Sequence, residues 1–323
     1  MTHPDGAWPS VSVVMPCYNA AAYVADALAS IQAQRYEGEL EILVVDDGST
    51  DDSVRVAGSF SNVRVLTQKN RGPAAARNLG LAQARGAVLA FLDADDLWTE
   101  GSLNCRVDVL RTRPEVGVVF GNFTRWTPAP APGMAAPERP DQLPAWALQA
   151  VDRGWVYPEI LLDPIVHIIA TAVRRSVVEA IGGFDETLRT GEDYDFFIRA
   201  ARHCRFARVE PVVARYRQHA ASITRIPQAR SNEYMVVSRA IERFGLSALD
   251  GRPLEASRLA QRLQRLCFDH ALQHLHAGDP GIAAAGFRAA IRHDPMRAKA
   301  WLFAGLAAVK ARLQGVRRTV PLQ

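Results

Sequence analysis

Two apolar runs in this chain each end in a cluster of acids. Leu40 to Val45 leads into Asp46-Asp47-Gly48-Ser49, and Ala87 to Leu92 leads into Asp93-Ala94-Asp95-Asp96. Three carboxylates within four residues repel one another unless something positive is bound beside them. Hard divalent cations such as Mg²⁺ and Mn²⁺ take oxygen ligands, commonly one or two carboxylates together with the phosphates of a substrate. The two clusters therefore read as the walls of a site for a metal-bound diphosphate. Asp and Ser also cap helices and fill turns, which would account for Asp46 to Ser49 taken alone. The second cluster shifts the balance towards a bound cation.

The elements that must position these acids alternate strand and helix. Val11 to Met15 is a β-branched run ended by Pro16, and Tyr23, Val24, Leu28 and Ile31 then recur at helical spacing. Further strands are expected at Leu40 to Val45, Val63 to Leu66, Ala87 to Leu92 and Val116 to Phe120, with a helix from Ala74 to Ala84. This βαβ alternation implies an α/β fold, a mostly parallel sheet flanked by helices. Ligands in such sheets bind outside the carboxyl ends of the strands, so both acidic clusters should face one crevice. From Thr127 to Pro144 there are six prolines in 18 residues and no periodic pattern, the mark of a loop. Sheet-like and helical signals return at Ile168 to Val173, Arg175 to Ile181, Asp193 to Ala201 and Phe206 to Val213. Beyond Ile226-Pro227 the chain reads as almost wholly helical.

Composition narrows the class. The chain has 323 residues, 48% hydrophobic and 22% charged, as expected of a globular protein with a sizeable core. A formal charge of +4 is mild, and a protein dedicated to nucleic acid would show a denser basic face, so nucleic acid is not an expected partner. Cys17, Cys105, Cys204 and Cys267 have neither zinc-site nor disulfide spacing, which fits a reducing cytoplasm. Met1 to Ser10 is no secretory signal, and the run Ile165 to Val173 falls far short of the ~20 apolar residues that span a bilayer.

Taken together and in order, the segments Val11 to Asn19, Val44 to Asp51, Asn70 to Asn78, Phe91 to Asp96 and Gly191 to Asp195 resemble the family 2 glycosyltransferases. These are inverting, metal-dependent enzymes of GT-A fold that use nucleotide sugars. The resemblance implies that Pro16, Tyr18 and Asn19 line the nucleotide pocket, where a tyrosine ring can stack on a base. It places Asp47 on the imide N–H of uracil or thymine, favouring UDP or dTDP donors, and Arg77 and Asn78 beneath the diphosphate, where a guanidinium gives planar, charge-assisted donors. Asp93 and Asp95 match the DxD positions, the first towards the ribose and the second on a Mg²⁺ or Mn²⁺ ion. His219 falls where relatives carry a histidine near the diphosphate or metal. Asp96 reads as a helix cap or a supporting partner. Glu192 and Asp193 match the catalytic acidic pair, with Asp193 as general base and Glu192 orienting the acceptor or opening a helix. Asp195, two residues on, is expected to pair with Arg199, one turn away.

The resemblance covers about residues 10 to 220. The expected organisation is a tail at 1–9, a GT-A domain at 10–225 and a helical region at 226–323. Within the domain, 10–125 is the nucleotide-sugar and metal half, 127–144 the proline-rich loop and 150–225 the acceptor and base half. In the tail, Gly278, Asp279, Ala284, Phe287, Ala290, Asp294, Pro295, Ala298 and Trp301 follow the spacing of half a tetratricopeptide unit, so a helical hairpin is expected. Leu302, Leu306, Val309, Leu313 and Val316 form an apolar stripe beside Lys310, Arg312, Arg317 and Arg318. Such a helix either rests on an anionic membrane or packs on the hairpin. The expected function is transfer of a sugar from a nucleotide donor to the hydroxyl of a saccharide or lipid-linked acceptor, in surface polysaccharide or glycoconjugate synthesis, by a cytoplasmic and peripherally membrane-bound enzyme. The rivals are a metal-dependent nucleotidyltransferase, which would need a glycine-rich basic loop after its first strand where Pro16 to Asn19 stands, and a non-catalytic nucleotide-sugar-binding scaffold.

Overall fold

The computed structural model describes residues 7–127, 150–219 and 227–315. The chain divides into two units, Met1–Tyr157 with Pro164–His219, and Pro158–Asp163 with Ala220–Gln323.

The first unit is built on β1 (Val11–Cys17), β2 (Leu40–Asp46), β3 (Val63–Thr67) and β4 (Val88–Phe91), all mutually parallel in the order β3-β2-β1-β4. Between them run α1 (Val24–Gln32), α2 (Ser53–Gly58) and α3 (Pro73–Gln83). The connections from β1 to β2 and from β2 to β3 step one way across the sheet, and that from β3 to β4 steps back. Right-handed crossovers therefore place α1 and α2 on one face and α3 on the other. Residues 11 to 15 of β1 are buried throughout, because a central strand is covered on both faces. Gly80 lets α3 lie directly on this strand: a Cβ there would come within 2.4 Å of Val14 Cγ1.

Past β4 the sheet loses its uniform direction. The added strands are β5 (Leu97–Trp98), β6 (Val116–Trp126), β7 (Ala150–Gly154), β8 (Thr171–Arg174) and β9 (Arg205–Arg217). The order continues β4-β8-β6-β9-β5, with β7 also on β9, and only the β6–β9 pair in this half is parallel. The expected parallel character thus belongs to the β3-β2-β1-β4 half of the sheet. Helix α4 (Ser102–Thr112) packs on β6, β8 and β9, while α6 (Arg175–Ile181) packs on β8 and on α7 (Glu192–Ala201). The proline-rich stretch lies outside the described residues apart from Thr127.

The second unit is helical: α5 (Tyr157–Leu162), α8 (Asn232–Phe244), α9 (Ala256–Ala277), α10 (Pro280–His293) and α11 (Ala298–Leu313). Asp279 caps α10 by accepting from Gly281 N and Ile282 N, with Pro280 at the first helical position. Alanines at 271, 283, 284, 290, 300 and 307 keep the helices close, and Phe268, Phe287 and Phe303 fill the centre. The hairpin expected from the repeat spacing is α10 and α11, with α9 as a third helix against it. Val316, Arg317 and Arg318 lie outside the described residues.

Candidate active site

The crevice opens where β1 and β4 part at their carboxyl ends, the switch point of strand order. Along β1 the odd-numbered residues bond β2, as in Asp47 N donating to Cys17 O, and the even-numbered ones face β4, as in Leu92 N donating to Val14 O. Pro16 follows the last residue paired with β4, so its missing N–H falls where no ladder bond is needed. Tyr18 stands beyond it, 52% exposed, free to meet a planar ligand. Asn19 adopts a positive φ of 48°, which asparagine tolerates well. It accepts from Thr50 N at 2.8 Å and donates its own N–H to Ser49 Oγ at 2.9 Å, locking the β1 turn to the β2 turn.

Asp47 is tied to the loop before α3. It is 3% exposed, and its carboxylate accepts from Gln68 Nε2 at 2.7 Å, Arg71 N at 2.8 Å and Gly72 N at 2.7 Å. Three of roughly four lone-pair directions are thus taken by the loop before α3, leaving one for a base imide. Asp46 is a turn residue, accepting from Gly48 N and Ser49 N.

The Asp93–Asp96 turn is shaped from β9. Arg217 donates its backbone N–H to Asp96 Oδ1 at 2.7 Å and its Nε to Asp95 O at 2.7 Å, and its guanidinium lies between the rings of Tyr23 and Trp126. Asp96 is therefore a buried anchor, and the helix-cap reading fails: α4 starts only at Ser102. Its Oδ2 is buried without a hydrogen-bond partner among the described residues, and burial, with Asp95 and Asp93 nearby, pushes its carboxyl up to about 9. Asp95 is raised by burial and by Asp93, and its Oδ2 meets His219 Nε2 at 2.8 Å. The His219 ring stacks on Tyr23 with centroids 5.0 Å apart.

Arg77 joins this turn to the acidic pair. It is buried, with Nη2 donating to Asp93 Oδ1 at 2.7 Å and Nη1 to Glu192 Oε1 at 2.6 Å. Burial opposes its charge, but Asp93, Glu192 and Asp193 outweigh that and hold the guanidinium above its usual value. The bridge engages one of the two N–H groups on each terminal nitrogen. Asn78 accepts from Phe184 N and donates to Phe184 O and Glu186 Oε1, pinning the 184–186 loop.

Glu192 and Asp193 open α7, after Gly191 makes the turn at a φ of 78°. Glu192 is buried, and that burial pushes its carboxyl up to about 7 against the pull of Arg77. Asp193 is half-buried and accepts from Tyr194 N at 2.8 Å, and desolvation raises it as well. A carboxyl raised towards neutrality can take a proton from a hydroxyl and later release it. Asp195 pairs with Arg199 at 2.7 Å, as expected.

Two residues that the sequence reading passed over belong to the site: Arg217 and His167. His167 lies just before β8, which runs antiparallel to β4, so it falls off the carboxyl end of β4 on the side away from β1. Its ring packs against Phe123 at 4.4 Å and Tyr216 at 5.4 Å, and its Nδ1 is buried with no hydrogen-bond partner among the described residues. Burial pushes it down to about 4, only partly opposed by Asp93, so the imidazole is neutral at physiological pH.

Comparison with known proteins settles the class. The family model "Glycosyl transferase family 2" matches residues 12–138, and "Glycosyltransferase like family 2" matches 162–247. The chain belongs to glycosyltransferase family 2. A Rickettsia prowazekii glycosyltransferase is 27% identical over 227 residues, 70% of this chain and 69% of that protein. Several other relatives match over little more than a third of both chains, as with the Streptococcus pneumoniae glycosyltransferase GlyG, 36% identical over 118 residues. The fold is similar to that of S. aureus TarS residues 1–349 in complex with UDP, at a TM-score of 0.59 and 18% identity, covering 97% of this chain and 94% of that one. It is also similar to the mannosyltransferase PcManGT of Pyrobaculum calidifontis in complex with GDP-Man and Mn²⁺, at 0.56 and 22% identity, covering 97% and 90%. Both likenesses show a GT-A-type fold.

For this glycosyltransferase the donor set fits a divalent cation shared with a substrate. Among the described residues no group of three His, Cys, Asp or Glu side chains is placed to hold a metal ion. Of the acids and the histidine expected around the diphosphate and metal, Asp95 and His219 meet at 2.8 Å, and Asp93 turns one oxygen to Arg77. A carboxylate and an imidazole leave the remaining positions to diphosphate oxygens and water, the way such ions are commonly held. Burial, with the neighbouring acids, raises the carboxyls of Asp95 and Asp96 against the pull of His219 and Arg217.

Proposed function

We propose that this chain is an inverting glycosyltransferase that moves a sugar from a nucleotide-sugar donor, UDP or dTDP favoured, to a hydroxyl of a saccharide or lipid-linked acceptor in surface polysaccharide or glycoconjugate synthesis. The observation that carries it is the Arg77 bridge, which puts the Asp93 turn and the Glu192–Asp193 pair into one buried network. In this reading Tyr18 stacks on the base, Asn19 and Asp47 hold the turns that frame it, and Asp93 faces the ribose side. Inversion takes one displacement. The acceptor oxygen attacks the anomeric carbon as the carbon–oxygen bond to the diphosphate breaks, the bonding pair leaves with the diphosphate, and the hydroxyl proton passes to Asp193. Compensating the departing charge is the chemistry that Mg²⁺ or Mn²⁺, held by Asp95 and His219, supplies when bound. Glu192, tied to Arg77, keeps the start of α7 against the β4 turn so that the base stays in position. His167, beyond Asp93 from the nucleotide side, offers a neutral imidazole to a sugar hydroxyl.

The test is release of nucleoside diphosphate by the purified protein from UDP-, dTDP- and GDP-sugars, with Mn²⁺ and with chelator. GDP-sugars belong in the panel because PcManGT was crystallised with GDP-Man. Release from one donor, abolished by chelator, is the expected result. No release from any donor, with no nucleotide-dependent rise in Tm, overturns the reading.

A further inference from the structure

The last helix of the second unit is apolar on both sides. Ala300 and Ala307 of α11 are buried, and Phe303 and Ala304 pack with them on α9 and α10. At 3.6 residues per turn, Leu302, Leu306, Val309 and Leu313 fall on the opposite side, each at least half exposed, with Trp301 beside them. An apolar stripe of this kind on a surface helix marks a contact.

Charge says what makes that contact. Between residues 280 and 315 there are six basic side chains and one acidic, Asp294, a net +5 in a chain whose whole formal charge is +4. Arg288, Arg292, Arg297, Lys299 and Arg312 are all exposed. On the helix, Lys299 borders one edge of the stripe and Arg312 the other; Lys310 donates to Leu275 O at 2.6 Å and is committed to α9. A second copy would set one such surface against another of the same sign, which is unfavourable. An anionic surface has the complementary sign. No helix among the described residues is long and apolar enough to cross a membrane, so the contact would be in the interface plane.

We propose that α11 seats this chain on an anionic phospholipid surface, with Leu302, Leu306, Val309 and Leu313 entering the headgroup–acyl boundary and the flanking basic residues meeting lipid phosphates. The inference rests on the second unit alone and stands apart from the donor chemistry.

The full chain is sedimented with vesicles of phosphatidylcholine, and with vesicles of equal parts phosphatidylcholine and phosphatidylglycerol. Binding is expected only to the second, weakening as salt is added. The Lys299→Gln/Arg312→Gln variant should bind roughly 30-fold more weakly, the loss of two charges near such a surface. Leu306→Gln/Leu313→Gln should also lose binding while keeping the wild-type circular dichroism, since both positions are exposed. Absence of wild-type binding at low ionic strength, or variants that bind as tightly as wild type, overturns the proposal. A dimer in sedimentation velocity that Leu306→Gln/Leu313→Gln dissolves assigns the face to a second copy and overturns it equally.

Discussion

At the scale of the residue, the acidic pair carries the sharpest expectations. Asp193→Asn preserves shape and hydrogen bonding but cannot take the proton, so turnover should fall by about two to four orders of magnitude with donor affinity unchanged. Near-wild-type transfer by that variant would move the base elsewhere. Burial raises the carboxyls of Glu192, to about 7, and of Asp193. A base works only when ionised, so turnover should begin to decline at a pH above the range of an ordinary carboxylate and level off at higher pH. A kcat profile at saturating donor, flat down to the range of an ordinary carboxylate, would contradict this. His167 offers a third test. His167→Ala should raise the KM for acceptor or lower kcat by about ten-fold or more while leaving nucleoside diphosphate affinity intact, and His167→Gln should restore part of it. A role confined to packing against Phe123 and Tyr216 would instead lower Tm and spare the kinetics.

At the scale of the element, Arg77 is the point where α3, the turn after β4 and the start of α7 meet. Replacing it with Met leaves Glu192 as a buried, unpaired carboxyl and releases Asp93. Breaking a buried pair costs about 3 to 5 kcal/mol, here at the lower end because the Asp93 side chain is 27% exposed. Chemical denaturation measures this, and a loss below about 1 kcal/mol would show the bridge to be dispensable. The same residue shows where sequence reading stops. The strands β1 to β4 and the helices α1, α3, α6 and α7 were legible because their apolar periodicity is local. The Arg77 partners lie 16 and 115 residues away, and no local pattern separates an arginine meant for phosphate from one meant for carboxylates. Helix α4 carries Leu103, Val107 and Leu110 on one face, yet its fully buried Arg106 interrupts the pattern, bonded to Thr171 O and Ser102 O. Strand β5 is two residues long and exists only through its pairing with β9. His167 sat inside an apolar run, where a lone histidine carries no spacing signal.

At the scale of the whole molecule, the second unit is discontinuous: residues 158–163, drawn from the middle of the chain, group with the C-terminal helices. Glu159 of that segment pairs with Arg252 at 2.9 Å, and Ile160 and Leu161 are fully buried. The composition break at Ile226-Pro227 suggests a clean cut, but a cut there would strip α5 of the residues it groups with. Exposing two such side chains costs about 1.5 to 3 kcal/mol each, a large share of the 5 to 15 kcal/mol that stabilises a typical domain. The fragment 1–226 should therefore unfold at a lower temperature than the full chain and bind a hydrophobic dye, whereas Ile160→Ser/Leu161→Ser in the fragment should recover its solubility without restoring Tm. A fragment as stable and as soluble as the full chain would show that α5 needs no cover from the C-terminal helices. The 226 boundary would then divide the molecule into independently folding parts.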